Sequence, residues 1–267
     1  MRSKLLIVLM VGLVLNLGAF NILAQEEKPK SQLFIIHEDV VKPSMVSEYE
    51  AATKEFVAKL AEHQMTGSSY YYTAFVDNDF HYYYVTPVEN LAAIDNMEKD
   101  WNEFVKKVGE ENWTAMLQKF AAPLESHKVW MTRLMPELSY VPENPRLKSE
   151  EMPFYHWDFY YAKSGMAKTG EDIAKEWKAV YESNNIADGF NVYRGDIGAD
   201  LNLFIVAQRG NNPADYYSQQ AKIMEMLGEP GKELAARTME GVRKFESKTG
   251  WLRPDLSYWP KEEVTAK

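Results

Sequence analysis

The sequence predicts an α+β fold made of two tandem βαββαβ units packed sheet to sheet as one barrel. Two observations carry this. First, both halves end on the same phrase, Pro136-Glu137-Leu138-Ser139-Tyr140 and Pro254-Asp255-Leu256-Ser257-Tyr258. Second, upstream matches keep their order at a nearly constant offset. Met45 answers to Met166, Lys54-Glu55-Phe56 to Lys175-Glu176-Trp177, and Asn78-Asp79-Phe80 to Ala199-Asp200-Leu201. Val85 answers to Val206 and Val108-Gly109-Glu110 to Leu227-Gly228-Glu229. Self-similarity of this length is the mark of a duplicated structural unit. The expected division is a leader over 1–24, a first repeat over 31–142, a linker over 143–152, a second repeat over 153–260 and a tail over 261–267.

Each element follows in turn. The first strand of each copy is expected over 33–41 and 154–161. Pro43 and Ser44 then open a helix with apolar residues at Met45, Tyr49, Ala52, Phe56 and Leu60, a spacing of three and four that lines one helical face. The second copy repeats it with Met166, Ile173, Trp177 and Tyr181. A hairpin follows, 69–76 with 80–85, turning at Asp77-Asn78-Asp79. Its partner is 190–194 with 201–206, across a loop holding Gly195 and Gly198. Such turn residues accept left-handed backbone angles. A helical region broken at Gly109 or Gly228 comes next, with pieces over 88–108 and 112–120, and over 213–227 and 232–245. A last strand leads into the shared ending, whose expected role is to lock that strand, with Tyr140 and Tyr258 as anchors.

The order β-α-β-β-α-β is the ferredoxin-like unit. Its sheet carries helices on one face and needs a cover on the other, which a second copy supplies. With that order the chain resembles the dimeric α+β barrel superfamily, including its NIPSNAP, stress-responsive and antibiotic-biosynthesis-monooxygenase families. The resemblance is one of fold over the mature chain. It implies a pseudo-dimeric barrel, and it implies that oxygenase chemistry on activated aromatic substrates without a metal is open to such a scaffold.

Residues 1–24 read as a cleavable secretory signal, with Arg2 and Lys4 ahead of an apolar run over 5–17 and a small residue at Ala24. The expected address is the periplasm or the exterior, with no membrane attachment after cleavage. Removing the signal moves the formal charge from −9 to −11, which argues against nucleic acid. The chain has no cysteine, so thiol nucleophiles, thiolate metal sites and disulfides are excluded. Two copies that cover each other make a monomer sufficient. No motif calls for a cofactor or fixes a reaction.

Chemistry is sought on the strands. His37 and Asp39 alternate onto one face of the first strand, and His156 and Asp158 do so in the second copy. On the third strand His81, Tyr83 and Val85 share a face, set against Asn202, Phe204 and Val206. These faces are expected to meet inside the barrel, where His37, Asp39 and His81 would converge as catalytic candidates, with His156, Asp158 and Asn202 in support. Tyr72 and Tyr193 add phenols. The expected ligand set is thus His37, Asp39, Tyr72, His81, Tyr83, His156, Asp158, Tyr193 and Asn202, around a small, partly aromatic molecule between the repeats. Cofactor-independent oxygenase or isomerase chemistry is the alternative, with His-Asp as base. So is a purely structural network, since buried His and Asp satisfy each other. No metal is assigned, because the two His-Asp pairs belong to different sheets.

Overall fold

The computed structural model describes residues 31–66 and 72–260. The expected leader, the expected start of the second strand at Ser69 and Tyr70, and the tail over 261–267 lie outside the described residues.

The first unit runs β1 (Gln32–Val41), α1 (Val46–Glu62), β2 (Thr73–Asp77), β3 (His81–Val88), α2 (Ile94–Val108), α3 (Glu110–Ala121) and β4 (Leu124–Leu134). The second runs β5 (Phe154–Ala162), α4 (Ala167–Ser183), β6 (Asn191–Gly195), β7 (Leu203–Gly210), α5 (Pro213–Glu240) and β8 (Val242–Leu252). Pro43 opens the 3-10 turn that leads into α1, at a position where its missing N–H costs nothing. Gly109, with φ 86°, separates α2 from α3. Gly228 breaks α5 at φ 56° and ψ −142°. Two expected helix bounds are corrected. The first helical region starts at Ile94 rather than 88, because β3 continues through Val88 to pair with Leu33. The last helix ends at Glu240 rather than 245, because the chain pairs with β5 from Val242 onward. In both places the ladder overrides local periodicity.

All strands pair antiparallel in one closed barrel, in the order β1-β3-β2-β8-β5-β7-β6-β4. The ferredoxin-like sheets β2-β3-β1-β4 and β6-β7-β5-β8 join at their edges, β2 to β8 and β4 to β6. Closure leaves no free edge. The two shared endings clasp the seams reciprocally. Ser139 Oγ accepts from the Val192 amide at 2.9 Å, and Tyr140 bridges to Phe190, both in the second repeat. Ser257 Oγ accepts from the Ala74 amide at 2.9 Å, and Tyr258 bridges to Tyr72, both in the first. The anchoring hydroxyls of Tyr140 and Tyr258 donate to the carbonyls of Ile186 and Met65, each at 2.8 Å.

The barrel interior is filled by Ile36, Tyr83, Trp130, Tyr161, Leu203 and Ile205 with partly buried neighbours such as Phe34, Phe75, Trp157 and Tyr193. Separate clusters lie between each sheet and its helices. In the first repeat these hold Tyr49, Tyr82, Phe104 and Tyr72, and in the second Tyr181, Phe190, Phe204 and Ile223.

In the first strands the repeats match in the register of Met45 and Met166, which the pairing of the two His-x-Asp motifs does not keep. β1 bulges between Val40 and Val41 against β4, and β5 bulges between Tyr161 and Ala162 against β8. Counting back from these points, Asp39 corresponds to Tyr160, His37 to Asp158, and His156 to Ile35. The two His-x-Asp pairs are therefore two residues out of step and are not equivalent. On the third strand, Val40 pairs with His81 while Tyr161 pairs with Leu203, so the counterpart of His81 is Leu203. Asn202 sits outside β7 in a left-handed turn at φ 57°, as Phe80 does at φ 62°. One extra residue in the second hairpin moves the match by one, and a one-residue slip exchanges the faces of a strand.

Candidate functional site

Of the expected residues, His81, Tyr83 and Tyr193 face the barrel interior. His81 Nδ1 lies 2.9 Å from Glu38 Oε1, and Trp130 Nε1 donates to Glu38 Oε2 at 3.0 Å. Tyr83 OH donates to Asp77 Oδ2 at 3.1 Å and accepts from Lys248 Nζ at 2.8 Å. Lys248 also lies 3.3 Å from Asp77, whose side chain is 0% exposed. Burial raises the Tyr83 pKa far above that of a free phenol, followed in effect by the charges of Glu38 and Asp77. Both carboxylates and the ammonium are hydrogen-bonded within this network, which joins the repeats across the β2–β8 seam. Its counterparts across the pseudo-twofold are apolar, with Phe159, Leu203 and Ile205 where Glu38, His81 and Tyr83 stand. Tyr193 packs half-buried against Phe34, ring centroids 6.0 Å apart, and desolvation pushes its phenol up to about 12.

His37, Asp39, His156 and Asp158 point the other way, which corrects the expected convergence with His81. They face the helices. Asp39 accepts from Tyr49 OH on α1 and bonds His127 of β4 through its other oxygen. Tyr49 OH in turn lies 2.8 Å from Tyr84 OH. His37 stacks loosely with His127, ring centroids 5.6 Å apart, and burial lowers its pKa. Tyr72 is buried in the same layer, and its hydroxyl has no hydrogen-bond partner among the described residues. Tyr49, legible in the sequence as a core position of α1, and His127 of β4 complete the first repeat's polar cluster. The Asn202 side chain donates to the Lys163 carbonyl at 3.5 Å, and its own carbonyl accepts from the Ala162 amide at 3.1 Å. The structure does not bring the two His-Asp pairs together, and among the described residues no group of three or more His, Asp or Glu could hold a metal ion.

The second repeat differs in one respect that matters. A cavity of about 230 Å³ lies between its sheet and helices α4 and α5, and another of about 290 Å³ lies between the repeats at the β4–β6 seam, among Arg133, Met135, Arg194, Gly195 and Asp196. At about 30 Å³ per liquid water the former equals roughly eight waters, the scale of a one- or two-ring molecule. Phe204, Val206, Trp177 and Ile173 supply apolar walls, and Gly170 opens one side. Asp158, Tyr160, Tyr181 and Gln208 bring polar atoms to it. Burial raises the Asp158 pKa, an effect opposed by the nearby His156 and by hydrogen bonds from Ser247 and Tyr160. Burial likewise lowers the His156 pKa. The two are 3.8 Å apart, too far for a hydrogen bond, and both are pushed toward their neutral forms. His156 stacks on Tyr216, ring centroids 4.6 Å apart, while its buried Nδ1 has no partner. Burial also pushes the Tyr181 phenol up to about 12.

The cavity exists because of two substitutions between the repeats. Tyr49 and Gly170 are each the fourth residue of their helix, α1 and α4. Tyr84 and Val206 are likewise equivalent, being the partners of His37 and Asp158. In the first repeat the two phenols fill the layer, and Tyr49 is 0% exposed. In the second a glycine and a valine leave it open. The offset that relates Met45 to Met166 also relates Tyr49 to Gly170, so this signal was present in the sequence.

No protein-family model matches the chain, and the comparison with curated proteins returns no relative. Solved structures share its fold. An anthrone oxidase-like protein superposes with a TM-score of 0.54 at 8% identity, over 85% of this chain and 93% of that one. A candidate monooxygenase from Lactobacillus acidophilus superposes with a TM-score of 0.50 at 11% identity, over 84% of this chain and 94% of that one. A mutant chlorite dismutase from Candidatus Nitrospira defluvii reaches 0.50 at 12% identity, over 84% and 92%. The shared fold is a closed antiparallel α+β barrel, with both ferredoxin-like halves in one chain here.

Proposed function

We propose that this is an exported protein that binds a small, partly aromatic molecule in the second repeat, between β5, β7 and helices α4 and α5. The observation that carries the reading is the cavity of about 230 Å³, walled by apolar side chains and floored by Asp158. Mostly apolar lining with a few converging polar groups is the usual character of a small-molecule site. The first repeat supports it by contrast, because the same layer there is filled by the protein's own aromatic rings.

The test uses indole as probe. Titration should perturb the fluorescence of the tryptophans, Trp177 among them. Val206→Tyr, which installs the residue found at Tyr84, should abolish the response. Equal responses in both proteins would sink the reading. For export, sequencing of the secreted protein should begin at Gln25.

A second reading is a cofactor-independent oxygenase or isomerase. It is favoured by Asp158, a carboxyl at an apolar cavity whose pKa burial raises, as suits a group that takes and returns a proton. The anthrone oxidase-like and monooxygenase-like neighbours are compatible with it at the level of the scaffold. Oxygen uptake with a bound aromatic, lost in Asp158→Asn, would support it. Binding without turnover would leave the protein a binder.

A further inference from the structure

Tyr49 does more than fill the first repeat. It shows what the empty layer of the second repeat accepts. It belongs to a core cluster that includes Val41, Ala74, Tyr82 and Leu124, its ring 4.8 Å from that of Tyr82. Strand pairing fixes the counterparts of these four as Ala162, Val192, Phe204 and Val242. All four line the cavity. The cavity therefore overlaps the place that the Tyr49 side chain takes in the first repeat. At the base of that place, a Cβ on Gly170 would already come within 3.1 Å of the Phe204 ring.

The polar end of that place is retained as well. In the first repeat the Tyr49 hydroxyl donates to Asp39 and meets Tyr84 OH. In the second, the position of Asp39 holds Tyr160, and the carboxyl stands two residues earlier at Asp158, on the same face. Tyr160 and Asp158 point to the same face of β5 and both border the cavity. A carboxyl and a phenol thus stand at the end of the cavity where the Tyr49 hydroxyl would arrive.

Resting on the pocket reading above, we propose that the ligand of the second repeat is a phenol, held as Tyr49 is held in the first. Its ring lies on Phe204, in the room left by Gly170, and its hydroxyl meets Asp158 and Tyr160. A phenol hydroxyl both donates and accepts, so it satisfies a carboxyl in either protonation state. A ring without the hydroxyl leaves that carboxyl without the extra partner, and sites built to bond a hydroxyl discriminate against analogues that lack it.

The experiment compares p-cresol, which is the tyrosine side chain as a free molecule, with toluene. Binding to the mature protein is followed by calorimetry. The expected result is p-cresol binding at least about tenfold tighter than toluene, with both lost in Gly170→Tyr. Tyr49→Gly should gain a second p-cresol site. If that variant fails to fold, the comparison of the two probes in the unaltered protein still decides. Toluene binding as well as p-cresol, with both lost in Gly170→Tyr, overturns the phenol assignment and leaves the pocket reading standing. A protein that takes indole but not p-cresol also overturns it. Failure of indole, p-cresol and toluene together overturns the pocket reading itself.

Discussion

Replacing Lys248 by methionine tests whether the polar network inside the barrel holds the repeats together. Lys248 belongs to β8 of the second repeat, yet its ammonium donates to Tyr83 OH at 2.8 Å and lies 3.3 Å from Asp77 Oδ2, both in the first. The Asp77 side chain is fully enclosed and that of Lys248 is 18% exposed. Removing one partner of a buried pair costs roughly 3–5 kcal/mol, because the other charge is left uncompensated. Asp77 would still accept from the amides of Asp79 and His81, each at 2.9 Å, and from Tyr83 OH. The lower end, about 3 kcal/mol, is therefore expected. For a chain of this size that lowers Tm by roughly 6–12 °C. Urea unfolding at neutral pH measures it, with Asp77→Asn and the double variant completing a cycle. Coupling of about 1–3 kcal/mol should appear. A single variant within about 0.5 kcal/mol of the parent, the range of ordinary surface changes, would refute the reasoning.

Three further outcomes follow. Burial raises the Asp158 pKa above its usual 3.8, so between 3.8 and the raised value the folded state holds a proton that the unfolded state has lost. Stability from this group therefore falls as pH rises through that window. Asp158→Asn should gain on the parent between pH 4 and pH 8 in urea titrations, and a constant difference would contradict this. Ser139→Ala and Ser257→Ala should each cost about 1–2 kcal/mol by stranding the buried amides of Val192 and Ala74; faster hydrogen exchange at those two amides is the check. Gly228→Ala should destabilise by about 1–3 kcal/mol, since φ 56° with ψ −142° suits glycine and not a residue with a Cβ; unchanged thermal unfolding would disprove it.

Much of the fold was legible because duplication writes each element twice. Helix faces, glycine breaks and the shared ending agree between copies. Side-chain direction was harder to read. Alternation says that His37 and Asp39 share a face, but not which face, since both sides of a barrel strand are covered. The deciding partners, Tyr49 and His127, come from α1 and β4, far along the chain. In the second hairpin a single inserted residue put Asn202 where Leu203 belongs, and so reversed the strand on paper. Glu38 and Lys248 were missed for a related reason. Each looks like an ordinary surface charge, and only closure of the barrel turns them inward. The cavity itself left a trace in the register already used for Met45 and Met166, as a tyrosine in one helix facing a glycine in the other.

The reciprocal clasps have a consequence for how the chain is made. β2 reaches its outer neighbour only when Phe75 meets Leu252, near the end of the described chain. During synthesis the first repeat therefore emerges with an unpaired strand, and it stays so until the last strand leaves the ribosome. Exposed edges of this kind recruit other chains, and distant pairings form slowly. Until the second repeat pairs with it, that edge of the first repeat stays open to other chains.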